Sequence, residues 1–305
     1  MPIVVQVAKN IEDIDTVFKV RHKVAVKERK LVKDIWKDKR LVDRFDAYPT
    51  TTNFFASQNG EVIGSIRVTV DSLVGIPLDS TITYKHKLSS YSNIMNCSMF
   101  CITEEHRNNS IANGLLLMAI YFASSNYITH ILAPIEATYS SLFYSIGFEP
   151  IEGTSTYKDP LTSLEMQPLI LDMRKVNDFF LKFIHKNKIQ DFIQYYERWF
   201  FKANENIISV GERGEEAFII VQGEAEVRLP SGKVLATLKE GEIFGELALL
   251  TDDIRSADVS AKTELQVMVL SKKTFREHLI DNPKKVLGLL RLMGERTKAL
   301  ISQLT

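Results

Sequence analysis

Gly245, Glu246, Arg255 and Ser256 lie in one short segment whose residue types suit a sugar and a phosphate together. Glycine at 245 lets backbone approach a ligand closely, and the apolar run beginning Leu247-Ala248 reads as a short helix whose leading N–H groups face an anion. Arg255 returns after a turn with a paired, charge-assisted contact for a phosphodiester, and Glu246 can accept from a ribose hydroxyl. Ser256 and Ala257 complete the run. The plainer alternative is an amphipathic helix followed by a solvated arginine.

A second constellation spans Glu104 to Gly114. Arg107, Asn108, Asn109, Ser110, Ile111 and Ala112 occupy a strand-to-helix turn, and small and polar residues there aim several backbone N–H groups at one place, which suits a pyrophosphate. An ordinary polar loop is the alternative. Further on, Tyr144 precedes Gly147-Phe148. A third group, Arg21, Asp43, Asp46 and Arg67, offers two cations and two carboxylates, for a substrate or for a stabilising ion network.

These residues need elements to hold them. The pattern predicts a helix over residues 11–32, a strand at Asn53–Ser57 and its hairpin partner at Glu61–Val70 across Gln58-Asn59-Gly60. A strand follows near Cys97–Ile102, a helix from about Asn113 to Asn126, a strand at Ile128–Ile135 and a helix from Thr138 to Ser145. Downstream, Ile207-Ile208, Phe218–Val221 and Val227 form short apolar runs punctuated by Gly211, Gly214 and Gly223, as in a small β-roll. A last helix is expected from about Asn282 to Gln303. The fold class is α/β plus mainly β: a mixed sheet flanked by helices, then a β-roll with C-terminal helices. The expected domains are 1–171, a helical connector over 172–195, rich in aromatics and without a Gly/Ser linker, and 196–305.

On Gly245 to Ala261 and the flanking strands, the second half resembles the cyclic-nucleotide-binding domain, closest to catabolite activator proteins. The resemblance implies that Glu246 binds the ribose 2′-hydroxyl and that Arg255, helped by Ser256, binds the cyclic phosphate. The final helix would cover the base, with Leu300, Ile301 and Ser302 beside it. Cyclic AMP is the expected ligand, with cyclic GMP as the other candidate. No helix-turn-helix pattern follows before Thr305.

On Arg107, Ala112, Tyr144 and Gly147-Phe148, the first half resembles the GNAT superfamily of acyltransferases. The middle glycine of that superfamily's loop is here Ser110. The resemblance implies that Tyr144 protonates a departing thiolate or orients a thioester sulfur; simple packing is the alternative. Arg21, Asp43, Asp46 and Arg67 narrow the likeness to acyl-homoserine-lactone synthases and the related N-acyl amino acid synthases. That group transfers a fatty acyl chain, usually from acyl carrier protein, to an amine. Where lactone synthases carry a glutamate and an arginine on the central strand, this chain has Asn96 and Met99. An amine acceptor must lose a proton, so a base is required, and Glu136 and Glu104 are the candidates beside the alternative of solvated carboxylates. Backbone N–H groups around Ile102 would polarise the thioester carbonyl.

The chain has 305 residues, 45% of them hydrophobic, with 38 basic and 38 acidic side chains. That is room for two domains, and the charge balance gives no footprint for nucleic acid. No long apolar run or signal-like N-terminus is present, so a cytoplasmic protein without a transmembrane segment is expected. Six histidines show no metal-ligand spacing, and no metal is expected. Cys97 and Cys101, four apart on a strand, should share a face but lie too far apart to bridge. The reading is an acyltransferase regulated by cyclic AMP, taking acyl-CoA or acyl carrier protein as donor and an amine as acceptor, with a homodimer allowed. Its rivals are a protein-lysine acetyltransferase under the same control and a non-enzymatic sensor with a decayed acyltransferase domain.

Overall fold

The computed structural model describes residues 2–85, 88, 92–107, 109–176, 197–246 and 254–273. Asn108, Leu247, Ala248, most of the connector and the final helix with Leu300, Ile301 and Ser302 lie outside the described residues. Pro2–Val4 apart, which group with the second, the chain divides into two compact units between Asn177 and Asp178.

The first unit contains β1 (Ile3–Val7), α1 (Ile11–His22), β2 (Thr51–Gln58), β3 (Glu61–Val70), β4 (Ile94–Ile102), α2 (Asn109–Ser125), β5 (His130–Glu136), α3 (Ser140–Ile146), β6 (Glu149–Pro150), β7 (Tyr157–Lys158) and β8 (Glu165–Asp172). Its sheet runs β1-β2-β3-β4-β5-β8-β6, with β7 on β8. β2 and β3 pair antiparallel through an Asn59-Gly60 turn, where φ of 54° and 79° make the doubly left-handed turn that matches strand twist. β4 and β5 are parallel, paired over Ile94–Asn96 and His130–Leu132.

α1 starts where the Asn10 side chain accepts from the Asp13 N–H, with acidic residues in its first turn and Lys19, Arg21 and His22 in its last, as the helix dipole favours. The helix expected over 11–32 is shorter: it widens into a π-turn over Lys23–Glu28 and stops, with Lys30 at φ 52°. α3 ends at Gly147, left-handed at φ 107°, whose N–H closes onto the last turn.

The sheet's two faces differ in chemistry. Successive β2 residues point to opposite sides. Asn53 meets Arg21 of α1, whereas Phe54 meets Phe122 of α2 edge-on at 5.8 Å. The α1 side of β3 and β4 carries Ser65, Arg67, Thr69 and Asn96, all buried, while the α2 side carries Ile66, Val68 and Met95.

β4 also contradicts the expected placement of the cysteines. Met99 adopts φ 50°, and the register with β3 slips by one residue between Cys97, opposite Val68, and Cys101, opposite Ser65. One extra residue reverses the alternation, so the two thiols face opposite sides of the sheet. The Cys101 thiol lies 3.3 Å from the Ser65 hydroxyl, and both cysteines are free.

The second unit has eight described strands: β9 (Glu197–Phe201), β10 (Asn206–Ile208), β11 (Glu216–Gln222), β12 (Ala225–Arg228), β13 (Val234–Leu238), β14 (Ile243–Phe244), β15 (Asp258–Ala261) and β16 (Leu265–Ser271). They form two antiparallel layers, β14-β11-β16-β9 and β10-β15-β12-β13. Alternate residues turn inward, and Phe218, Ile220, Phe244, Val259, Val267 and Val269 join one core, the β-roll expected from the glycine-punctuated runs.

Candidate functional sites

In the first unit Arg21, Asp43, Asp46 and Arg67 come together, although helix, loop and strand supply them separately. Arg21 Nη1 donates to Asp46 Oδ1 at 2.9 Å, and Arg67 makes a two-pronged contact with Asp43 at 2.6 and 2.9 Å. Arg67 Nη1 also lies 3.1 Å from Asp46 Oδ2, and its Nε donates to the Ser98 hydroxyl at 3.1 Å. Asp43 and Asp46 are fixed by a reciprocal cap: Asp43 accepts from Phe45 N–H and Asp46 from Asp43 N–H. Both arginine side chains are 1% exposed and Asp46 4%, whereas Asp43 is 34% exposed. Burial pulls the Asp43 carboxyl upward, yet the Arg67 contact and the Phe45 N–H outweigh it and hold it below the usual aspartate range. Burial lowers the Arg21 guanidinium, with Asp46 opposing.

The expected pyrophosphate turn is tighter than the sequence reading. Asn109, Ser110, Ile111 and Ala112 are the first turn of α2, so their N–H groups point out of the helix's N-terminal end. Ile111 and Ala112 are buried, which leaves only their backbone for a ligand. Arg107 reaches backward, its Nε donating to Ile102 O at 3.2 Å and its Nη2 to Glu28 at 3.1 Å. Thr103 N–H bonds Ile63 O on β3, so by alternation the Ile102 amide faces the opposite edge, where β4 has left β5. Tyr144 on α3 is exposed. Glu136, at the end of β5, pairs with Arg29 at 2.6 Å, and the Glu104 N–H donates to Glu28 at 2.8 Å. Sequence reasoning missed Glu28, the last residue of the π-turn, and Arg29, which follows it; no motif marks either. Asn96 is buried, its amide donating to Leu132 O at 3.0 Å.

In the second unit Arg255 is 7% exposed. Its Nη1 donates to Gly245 O and its Nη2 to Glu216 O, both at 2.8 Å, with the Glu216 carboxylate 3.6 Å away. Burial lowers its pKa, while Glu216 pulls it back up. Gly245 is left-handed at φ 73°, and a Cβ there would lie 2.9 Å from Arg255 Nη1. A Cβ at Gly214 would collide with the guanidinium. The two glycines thus shape the arginine's slot. Ser256 is exposed and Ala257 half-buried beside it.

Comparison with known proteins gives these two sites their context. The family N-acyl amino acid synthase FeeM matches residues 16–164, and the cyclic nucleotide-binding domain family matches residues 198–282. A cAMP-dependent protein kinase regulatory subunit of Yarrowia lipolytica is 46% identical over 84 residues, 25% of this chain and 22% of that protein. A cGMP-dependent protein kinase of Caenorhabditis elegans is 32% identical over 108 residues, 35% of this chain and 14% of that one. The chain thus spans less than a quarter of the length of these curated relatives. The solved structure of FeeM from uncultured soil microbes covers 57% of this chain and 93% of its own, with 16% identity and a TM-score of 0.48. Residues 16–164 are an N-acyl amino acid synthase FeeM domain, and residues 198–282 of the same chain are a cyclic nucleotide-binding domain.

Proposed function

We propose that this chain is an N-acyltransferase under cyclic-nucleotide control, which moves an acyl group from a thioester to an amine. The observation that carries the reading is the union of the two family domains in one polypeptide. In this reading the donor, acyl-CoA or acyl carrier protein, lies along the carboxyl ends of β4 and β5, with its phosphate at the first turn of α2. The Ile102 amide donates to the thioester oxygen. Glu136 or Glu104 takes the proton lost by the amine as the C–N bond forms and the C–S bond breaks, and Tyr144 protonates the departing thiolate. Asp43, the exposed member of the ion network, meets the acceptor, while Arg21, Asp46 and Arg67 hold it in place. Domain limits of 1–171, 172–195 and 196–305 follow the two functions.

Glu246, Arg255 and Ser256 hold the nucleotide's ribose and phosphate. The higher identity to the cAMP-dependent relative, 46% against 32%, supports cyclic AMP over cyclic GMP. A nucleotide that binds two conformations unequally by about 1–3 kcal/mol would change activity several-fold to about a hundredfold. The sensor reading has one observation in its favour: the Asn96 amide, where lactone synthases carry a glutamate, is spent on a backbone carbonyl.

The deciding experiment is mass spectrometry of the protein incubated with acyl-CoA and acyl carrier protein donors, amino acids and a lysine-containing protein, with and without cyclic AMP. An acylated amino acid whose yield changes with cyclic AMP is expected. An acylated lysine would establish the protein acetyltransferase instead, and no product with any donor would leave the sensor.

A further inference from the structure

β4 and β5 stay together only as far as Asn96 and Leu132, after which β4 runs on to Ile102 and β5 to Glu136. Ligands of open sheets bind in the crevice beyond the carboxyl ends of adjacent parallel strands, and this is such a place. Two consecutive residues at the end of the π-turn reach its two sides. Glu28 accepts from the Glu104 N–H and from Arg107, just past β4, and Arg29 donates to the Glu136 carboxylate at the last residue of β5.

The Arg29–Glu136 pair differs in kind from the Arg21–Asp46–Arg67 network. Its side chains are 25% and 21% exposed, so a ligand can reach them. Among the described residues Glu136 is the one side-chain acceptor that the Arg29 guanidinium meets. Being partly open to solvent, the pair can exchange partners as a ligand enters. A guanidinium and a carboxylate side by side also complement an α-amino acid, which carries the same two charges in reverse.

The geometry points to Arg29 as the specificity-determining residue for the acceptor: a free α-amino acid docks by exchanging ion pairs, its carboxylate on Arg29 and its ammonium on Glu136. This rests on the acyltransferase reading above and adds to it the carboxylate-reading residue. One ion pair becomes two, so no charge is left unpaired on binding. An amine without a neighbouring carboxylate, including a lysine side chain within a protein, would leave Arg29 without a substrate partner. Planar, two-pronged recognition of carboxylate is a task for arginine more than lysine.

The test measures acyl transfer to an amino acid and to its carboxamide, for the full chain and for Arg29→Gln and Arg29→Lys, with circular dichroism to verify folding. The wild-type protein should prefer the acid. Arg29→Gln should raise KM for the acid by about ten- to hundredfold relative to the KM for the carboxamide, the worth of a charge-assisted contact, so that the preference for the acid is lost. Arg29→Lys should recover part of the preference. An Arg29→Gln enzyme that still prefers the acid, or a wild type that treats acid and carboxamide alike, would overturn the assignment and leave the acyltransferase reading standing. Absence of transfer to every acceptor would bring down both.

Discussion

At the scale of single residues the buried charges decide stability. Asp46 serves two arginines that are themselves buried, so Asp46→Ala leaves both short of a partner. Breaking such a buried pair costs about 3–5 kcal/mol, and the urea midpoint should fall accordingly. Asp43 gives the network a pH dependence of known sign. Its carboxyl sits below the usual range, so its contribution is fully present above the ordinary aspartate value of about 4 and is lost as pH falls through the lowered one. Stability measured across acid pH should fall less steeply in Asp43→Asn than in the natural protein; an equal slope would refute the assignment. The four members were legible in the sequence through the synthase resemblance, which marks those positions among many other charged residues. Their mutual geometry was not, and neither was the Arg29 contact to Glu136, which joins residues 107 apart along the chain. An ion pair at that separation leaves no periodicity to read.

Among the elements, the hairpin at Asn59-Gly60 was legible because its turn chemistry is local, although its first strand starts at Thr51 and takes in Gln58, which the pattern places in the turn. β8 was not, since Glu165–Asp172 contains Pro168 and lacks clean alternation, and its place is set by pairing with β5. The start of α2 was read too late because its first residues are a polar Asn-Ser pair that favours caps over helix interiors. The irregularity at Met99 is invisible in residue types, yet it decides where both cysteines point. Burial pushes the Cys97 thiol up to about 12 and raises Cys101 as well, and only Cys101 is half-exposed. Alkylation followed by mass spectrometry should therefore modify Cys101 first and Cys97 only on unfolding, with no disulfide formed under mild oxidant. Equal rates at the two positions would contradict their separation onto opposite faces. In the β-roll, Gly214→Ala should weaken cyclic-nucleotide affinity by tenfold or more, the worth of about 1.4 kcal/mol, because the added methyl displaces Arg255 from its slot. Calorimetric titration would measure it.

For the molecule as a whole, two sets of local signals read as two domains, and the structure divides into two units. Among the described residues no helix is long and apolar enough to cross a membrane. If the second unit binds cyclic AMP, a nucleotide concentration a hundred times its Kd should stabilise the folded state by about 2.7 kcal/mol. A thermal scan would register that as a higher melting temperature, and Arg255→Ala should abolish the increment. The way Arg255 is held also bears on how such a protein can drift over generations. Its two closest acceptors are carbonyl oxygens of the main chain, at positions 216 and 245. Every amino acid carries that oxygen, so a lineage can rewrite the side chain at 216 and keep the main-chain hold on the guanidinium, losing only the more distant carboxylate. Positions 214 and 245 have no such latitude, since even a methyl group crowds the arginine. Inheritance of the site is thus lopsided, tolerant where polarity would be expected to matter and strict at two places that carry no side chain at all.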